Sequence, residues 1–169
     1  LHWAVISAVV PTQEKNGYWM VFDFGGGTFD AALLKVEDGI MQVFDTAGDN
    51  YLGGKNLDEA IVDNIILPYL KDNYVIDGIL ADNDKRDVLR EAMKTYAEEA
   101  KIALSFKQQE DIISNLGDLG EDEDGEEIEL DITITQNQLF GVLRPIFQKA
   151  VDICISLLQR NNMTGAQLN

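Results

Sequence analysis

The sequence predicts an α/β protein, an antiparallel three-strand meander with helices joined to a smaller helix-and-hairpin part. Three observations predict it. The first third is a series of aromatic and β-branched runs broken by glycine turns. From about residue 56 the apolar residues recur every four positions, a helical spacing. Two more strand-like runs and a long apolar-faced helix then close the chain.

Taken in order, helix-forming residues 1–10 come first. "WMVFDF" (19–24), "TFDAALLKV" (28–36) and "IMQVFDTA" (40–47) read as three strands. Gly25, Gly26 and Gly27 form the first hairpin loop, where a tight turn calls for positive φ. "EDG" (37–39) marks the second turn. Leu57, Ile61, Ile65 and Tyr69 mark the face of a first helix, with Asn56 and Glu59 as its capping box and Pro68 as its kink or end. A helix over about 84–105 has Asp84 as candidate cap and a face of Leu89, Met93, Tyr96, Ala100 and Leu104. Residues 110–116 and 127–134 read as strands around the acidic run "GDLGEDEDGEE", a solvated loop that fits a calcium loop poorly. The last helix, about 136–160, takes Thr135 and Gln138 as capping box. Its expected core face is Leu139, Leu143, Phe147, Val151, Ile155 and Leu158.

Composition narrows the function. With 46% hydrophobic and 25% charged residues, the 169-residue chain is globular and long enough for one domain or two small subdomains. A net charge of −17 excludes a nucleic-acid or anionic-membrane surface. One cysteine, Cys154, excludes an internal disulfide and reads as a buried structural thiol. With one histidine, His2, an ordinary zinc site is excluded as well. No run approaches the about 18 apolar residues of a membrane span. "LHWAVISAVV" lacks the marks of a signal peptide, and a start at Leu1 in place of Met reads as a fragment or processed product.

Three segments carry chemistry. In "VFDFGGGTFD", three glycines strip the loop tip of Cβ atoms, so that backbone N–H groups can surround an anion. Asp23 and Asp30 flank that tip and suit a Mg²⁺ lying between them and phosphates; Thr28 adds a hydroxyl. "AGDNYLGGKNLD" (47–58) is a second glycine turn, with Gly53 and Gly54 opening a helix whose free N–H groups can hold phosphate or ribose. Lys94, Glu98, Lys101 and Ser105 form a polar stripe on the second long helix. Taken alone, that stripe reads as a solvated face.

"FDFGGGTFD", "AGDNYLGGKNLD" and "EEAKIALS", in that order and spacing, resemble the ATPase domain of heat-shock protein 70 (DnaK-type) chaperones. The resemblance covers nearly the whole chain and implies the second lobe of an actin-like (ribonuclease H-like) ATPase domain. It divides the chain into a sheet subdomain (about 1–60 and 135–169) and a helix-hairpin subdomain (about 61–134). It implies ATP/ADP and Mg as cofactors. Asp23 and Asp30 become metal-side carboxylates acting largely through water, and Gly25, Gly26 and Gly27 phosphate-binding backbone. Thr28 lies near the γ-phosphate, and with Asp23 and Asp30 it makes up the implied catalytic set. Gly53 and Gly54 lie against the nucleotide, while Glu98, Lys101 and Ser105 hold ribose and adenine. Nucleotide-driven lobe closure would control binding of unfolded peptides, with co-chaperones as further partners, in the cytoplasm.

Ile102 after Lys101 is similar to bacterial members. Phe24, Asn50, Tyr51, Lys55 and Asn56 depart from the usual residues and mark a divergent one. The family's first-lobe phosphate loop, catalytic lysine and glutamate are not in this sequence, nor is the "GGSTR"-like loop. The resemblance therefore implies weak ATP binding and no turnover by this chain alone. Alternatives are a small-molecule kinase lobe of the same superfamily and an actin-like filament or scaffold protein. An open edge along 19–24 is expected to be covered by residues 1–10 or to form a homodimer.

Overall fold

The computed structural model describes residues 16–169; the helix expected over 1–10, with His2, lies outside the described residues. Two compact units form. One takes the described residues up to Asn56 together with Pro145–Asn169, and the other is Leu57–Arg144.

The first unit is built on β1 (Gly17–Phe24), β2 (Phe29–Glu37) and β3 (Ile40–Asp49), antiparallel in the order β1-β2-β3. The expected meander is therefore present, with each strand starting or ending within two residues of its expected bounds. The turn between β2 and β3 closes through Asp38 and Gly39, with φ 53° and 77°. This is the two-residue hairpin geometry whose twist matches that of the strands. Alternation then sorts β2. Phe29, Ala31 and Leu33 are buried, and they pack with Ala150, Leu157 and Leu158 of the last helix, α5 (Gln136–Arg160). Arg160 clamps α5 to β3 by donating to both carboxylate oxygens of Asp45, at 2.6 and 2.8 Å, and to the Thr46 carbonyl. Beyond α5, Leu168 makes a parallel bridge to Tyr18, and the Asn169 N–H donates to the Tyr18 carbonyl at 2.9 Å. The start of β1 is thus paired on its outer side.

The expected face of α5 needs correction. Leu139, Leu143 and Leu158 are buried, but Phe147, Val151 and Ile155 are exposed. Ile146, Ala150, Ile153, Cys154 and Leu157 pack inward instead. A strict spacing of four drifts about 40° per step on a helix of 3.6 residues per turn, so the true face moves back by one residue. Phe147 keeps one partner, the Phe24 ring, at 5.6 Å between centroids.

α1 (Gly54–Ile61) starts three residues before the second unit and runs into a wide π turn over Val62–Ile66 and on into α2 (Leu67–Asn73). Leu67 N–H donates to the Val62 carbonyl, five residues back. Pro68 therefore does not end the helix. It falls in the first turn of α2, where its missing N–H costs nothing. The extra residue of the wide turn also advances the apolar face by one, so Ile66 and Leu70 are buried where Ile65 and Tyr69 were expected.

α3 (Asp77–Ala81) follows, an element without a clear sequence signal, and then α4 (Asn83–Ala103). The cap of α4 is Asp82, not Asp84: its carboxylate accepts from the N–H groups of Asp84 and Lys85. Leu89, Met93, Tyr96, Ala100 and Leu104 are all buried, as the spacing predicts. β4 (Gln109–Ile113) and β5 (Asp131–Thr135) pair antiparallel. Thr135 and Gln138 exchange the two bonds of a capping box at the start of α5.

The acidic run is less solvated than expected. Asp122 is buried, and its carboxylate accepts from the N–H groups of Val75, Asp124 and Glu126. Those donors, Val75 first, hold its carboxyl below the usual carboxylate range. Glu123 accepts from Gly78 N–H, which fixes the run to the start of α3.

Candidate functional site

The glycine hairpin joins β1 to β2. Its only internal latch among the described residues is Gly25 N–H to the Thr28 carbonyl, 2.8 Å. None of Gly25, Gly26 and Gly27 has the positive φ expected of this turn. Their purpose is space, not torsion. A Cβ on Gly26 or Gly27 would meet nothing within 4 Å. Among the described residues, neither glycine's N–H has an acceptor. Two unspent donors thus stand at a bare, open tip.

Asp23 and Asp30 are cross-strand partners at the base of this tip, both exposed, and Thr28 is exposed beside them. Neither carboxylate has an ion pair among the described residues. Directly opposed like charges destabilise a strand pair. The carboxylate and hydroxyl oxygens are the hard donors that Mg²⁺ takes, and the free N–H groups beside them are what a phosphate takes. The residues present fit that ion.

The second glycine turn is latched onto the first. Gly54 N–H donates to the Gly25 carbonyl and Lys55 N–H to the Gly26 carbonyl, each at 2.8 Å. A Cβ on Gly53 would stand 2.6 Å from Gly27 N and Cα and 2.7 Å from the Gly25 carbonyl oxygen. Only glycine fits there. The N–H groups expected to be free at the start of α1 are not free. Gly53 N–H donates to Asn56 Oδ1, so Gly53 is the cap and Asn56 the residue that reaches back, a register three residues earlier than expected. What Gly53 and Gly54 offer a ligand is a close backbone surface, while the open donors belong to Gly26 and Gly27.

In the second unit, α4 carries Glu98 and Lys101, Ser105 lies in the turn just past its end, and their states differ. Glu98 is exposed. Lys101 is buried and bonds Asp58 Oδ1 of α1 at 2.5 Å, with side-chain exposures of 11% and 15% for the pair. Burial pushes the Asp58 carboxyl up against the pull of Lys101. Ser105 Oγ donates to the Lys101 carbonyl at 2.9 Å and keeps its lone pairs. Lys94 leaves the stripe for Glu91 and Glu59. No sequence spacing points to Asp58, since its partner lies 43 residues away.

The structure therefore brings together Asp23, Thr28, Asp30 and the two glycine turns in one unit. In the other it sets Glu98 and Lys101 on α4, Ser105 in the turn just past it, and Asp58 beside Lys101. No helix among the described residues is long and apolar enough to cross a membrane. The meander with its packed helix, the paired glycine turns and the helix-and-hairpin unit make a mixed α/β architecture. A family model described as Hsp70 protein matches residues 6–169, across all of these elements. The chain belongs to the Hsp70 family.

Proposed function

We propose that this chain is the ATP-binding second lobe of a chaperone ATPase domain of the DnaK type, with ATP or ADP and Mg²⁺ as its ligands. The observation that carries this is the tip at Gly26 and Gly27. Neither residue needs to be glycine for the chain's own torsion or packing, yet both are, and both N–H groups are unspent. Such a tip suits a phosphate, whose oxygens accept from bare backbone donors. Asp23 and Asp30 would hold the metal, largely through its waters, with Thr28 toward the terminal phosphate. Bound Mg²⁺ supplies positive charge that offsets both the carboxylates and the phosphates. Gly53 and Gly54 would line the nucleotide, and Glu98, Lys101 and Ser105 would hold ribose and adenine.

In the whole protein, nucleotide would bias lobe closure, and closure would control the binding of unfolded peptides, tuned by co-chaperones in the cytoplasm. The pattern at Lys101 and Ile102 favours a bacterial member. The 169 residues alone would bind nucleotide weakly and turn it over negligibly, because phosphoryl transfer needs groups on both sides of the phosphates. The edge of β1 beyond Tyr18 is the place where two copies would pair.

Titration of Mg-ADP into the protein expressed from its complete gene tests this reading. Gly26→Val should abolish binding while leaving the circular dichroism spectrum and melting unchanged. Undiminished affinity in that variant would reduce the hairpin to a turn.

A further inference from the structure

Lys101 poses a question that the nucleotide reading does not answer. A lysine whose ammonium must meet a ligand is flexible and strongly hydrated, with a stem of four carbons. Here the stem is buried on the inward side of α4, between the buried turns of Ala97, Ala100 and Leu104. Its ammonium is held at 2.5 Å by Asp58, itself largely buried. An isolated ion pair of this depth gives little net stability, since the cost of removing both charges from water offsets their attraction, and an apolar pair of similar size serves the core as well. The pair has a second property that an apolar pair lacks. An ammonium has three donors, and Asp58 Oδ1 takes one of them. The other two have no acceptor among the described residues, and spacings of three and four place Glu98 and Ser105 on the same side of the helical path as Lys101.

We propose that Asp58 is a positioning residue for the nucleoside end of the ligand. It fixes the Lys101 ammonium so that its remaining donors meet ribose or base without first being ordered. This rests on the nucleotide reading above and adds a residue that acts through Lys101 without touching the ligand. Ser105 contributes in the same sense. Its hydroxyl proton is committed to the Lys101 carbonyl, so it can only accept from the ligand. The pair therefore presents donors at one position and an acceptor one turn further on, which suits a group carrying both, such as a ribose hydroxyl or an adenine edge.

The arrangement makes a split prediction. Removing the anchor should weaken only ligands that carry the nucleoside. Asp58→Asn, in the protein expressed from its complete gene, should lower the affinities for adenosine and for ADP by the same factor, about tenfold. Pyrophosphate affinity should not change. Asp58→Glu keeps the charge and displaces it by one methylene, so it should fold and recover most of the adenosine affinity. It stands as the test if the Asn variant is unstable, where loss of adenosine binding smaller than threefold is expected. Wild-type protein that binds neither adenosine nor ADP overturns the nucleotide reading itself. Wild-type binding with unchanged adenosine affinity in a folded Asp58→Asn overturns the role of Asp58 alone. An equal loss for pyrophosphate makes the pair a structural brace and overturns it too.

Discussion

Asp23 stands directly opposite Asp30 on one rung of the β1–β2 pairing, so two exposed carboxylates share one face of the sheet. Opposed like charges cost about 0.2–1 kcal/mol in a strand pair. Asp30→Asn should therefore raise the melting temperature of the protein in EDTA. The same variant should lose the stabilisation that Mg²⁺ with ADP gives the parent. Thermal melts in the two conditions check both halves, and a lower melting temperature in EDTA would show that the pair is satisfied by the chain alone.

The glycines of the two turns separate by what surrounds them. Gly53→Ala drives a Cβ into the backbone of Gly25 and Gly27, which cannot swing aside. Overpacking of this kind costs about 1–3 kcal/mol. Gly26→Ala enters open space with no positive φ to strain, so stability should change by less than about 0.5 kcal/mol. Its effect should appear in ADP affinity, which we expect to fall tenfold or more. Urea denaturation paired with ADP titration of both variants would reveal an exchange of these roles.

Hydrogen bonds from Arg160, and then from Asn161, pull the Asp45 carboxyl down to about 2 from its ordinary 3.8. A depressed carboxylate contributes stability above its unfolded value and loses it as pH falls through the folded one. The clamp between β3 and α5 should therefore hold down to about pH 4 and weaken toward pH 2. Asp45→Asn should flatten this part of the melting profile. Because the pair is exposed, high salt should flatten it as well. Identical acid limbs in variant and parent would assign the acid sensitivity to other carboxylates.

Burial pushes the Cys154 thiol up, away from the reactive thiolate. It is half-buried against the core of the first unit. Native protein at pH 7 should therefore react with a maleimide far more slowly than protein in urea, with a rate set by local opening. Mass spectrometry over time distinguishes this from fast native labelling, which would mean an accessible thiolate.

Much of this fold was legible because its signals are local. The Asp38–Gly39 turn, the buried face of α4 and the Thr135–Gln138 capping box each depend on residues within a few positions. What the sequence does not show depends on phase or distance. A spacing of four identified α5 but drifted off its face at Phe147, Val151 and Ile155. The π turn before Pro68 shifted the face after α1 by one residue, and no sequence rule announces such a turn. Asp122 looked solvated because its neighbours are charged, yet its partner Val75 is 47 residues away. In the site, the carboxylates and bare glycines were readable from "VFDFGGGTFD". The latch of Gly54 to Gly25 and the anchoring of Lys101 by Asp58 were not, because both are tertiary.

The first unit is discontinuous, since its three strands precede Asn56 while its covering helix follows Pro145. A ribosome making the chain at about 5–20 residues per second exposes the sheet first and then extrudes Leu57–Arg144 whole before the helix arrives. For on the order of ten seconds, Phe29, Ala31 and Leu33 have no lid while the second unit already has all its residues. Vectorial synthesis therefore completes the sequence of the inserted unit before that of the unit which surrounds it. In the interval the inner face of β2 is an uncovered apolar surface that invites association.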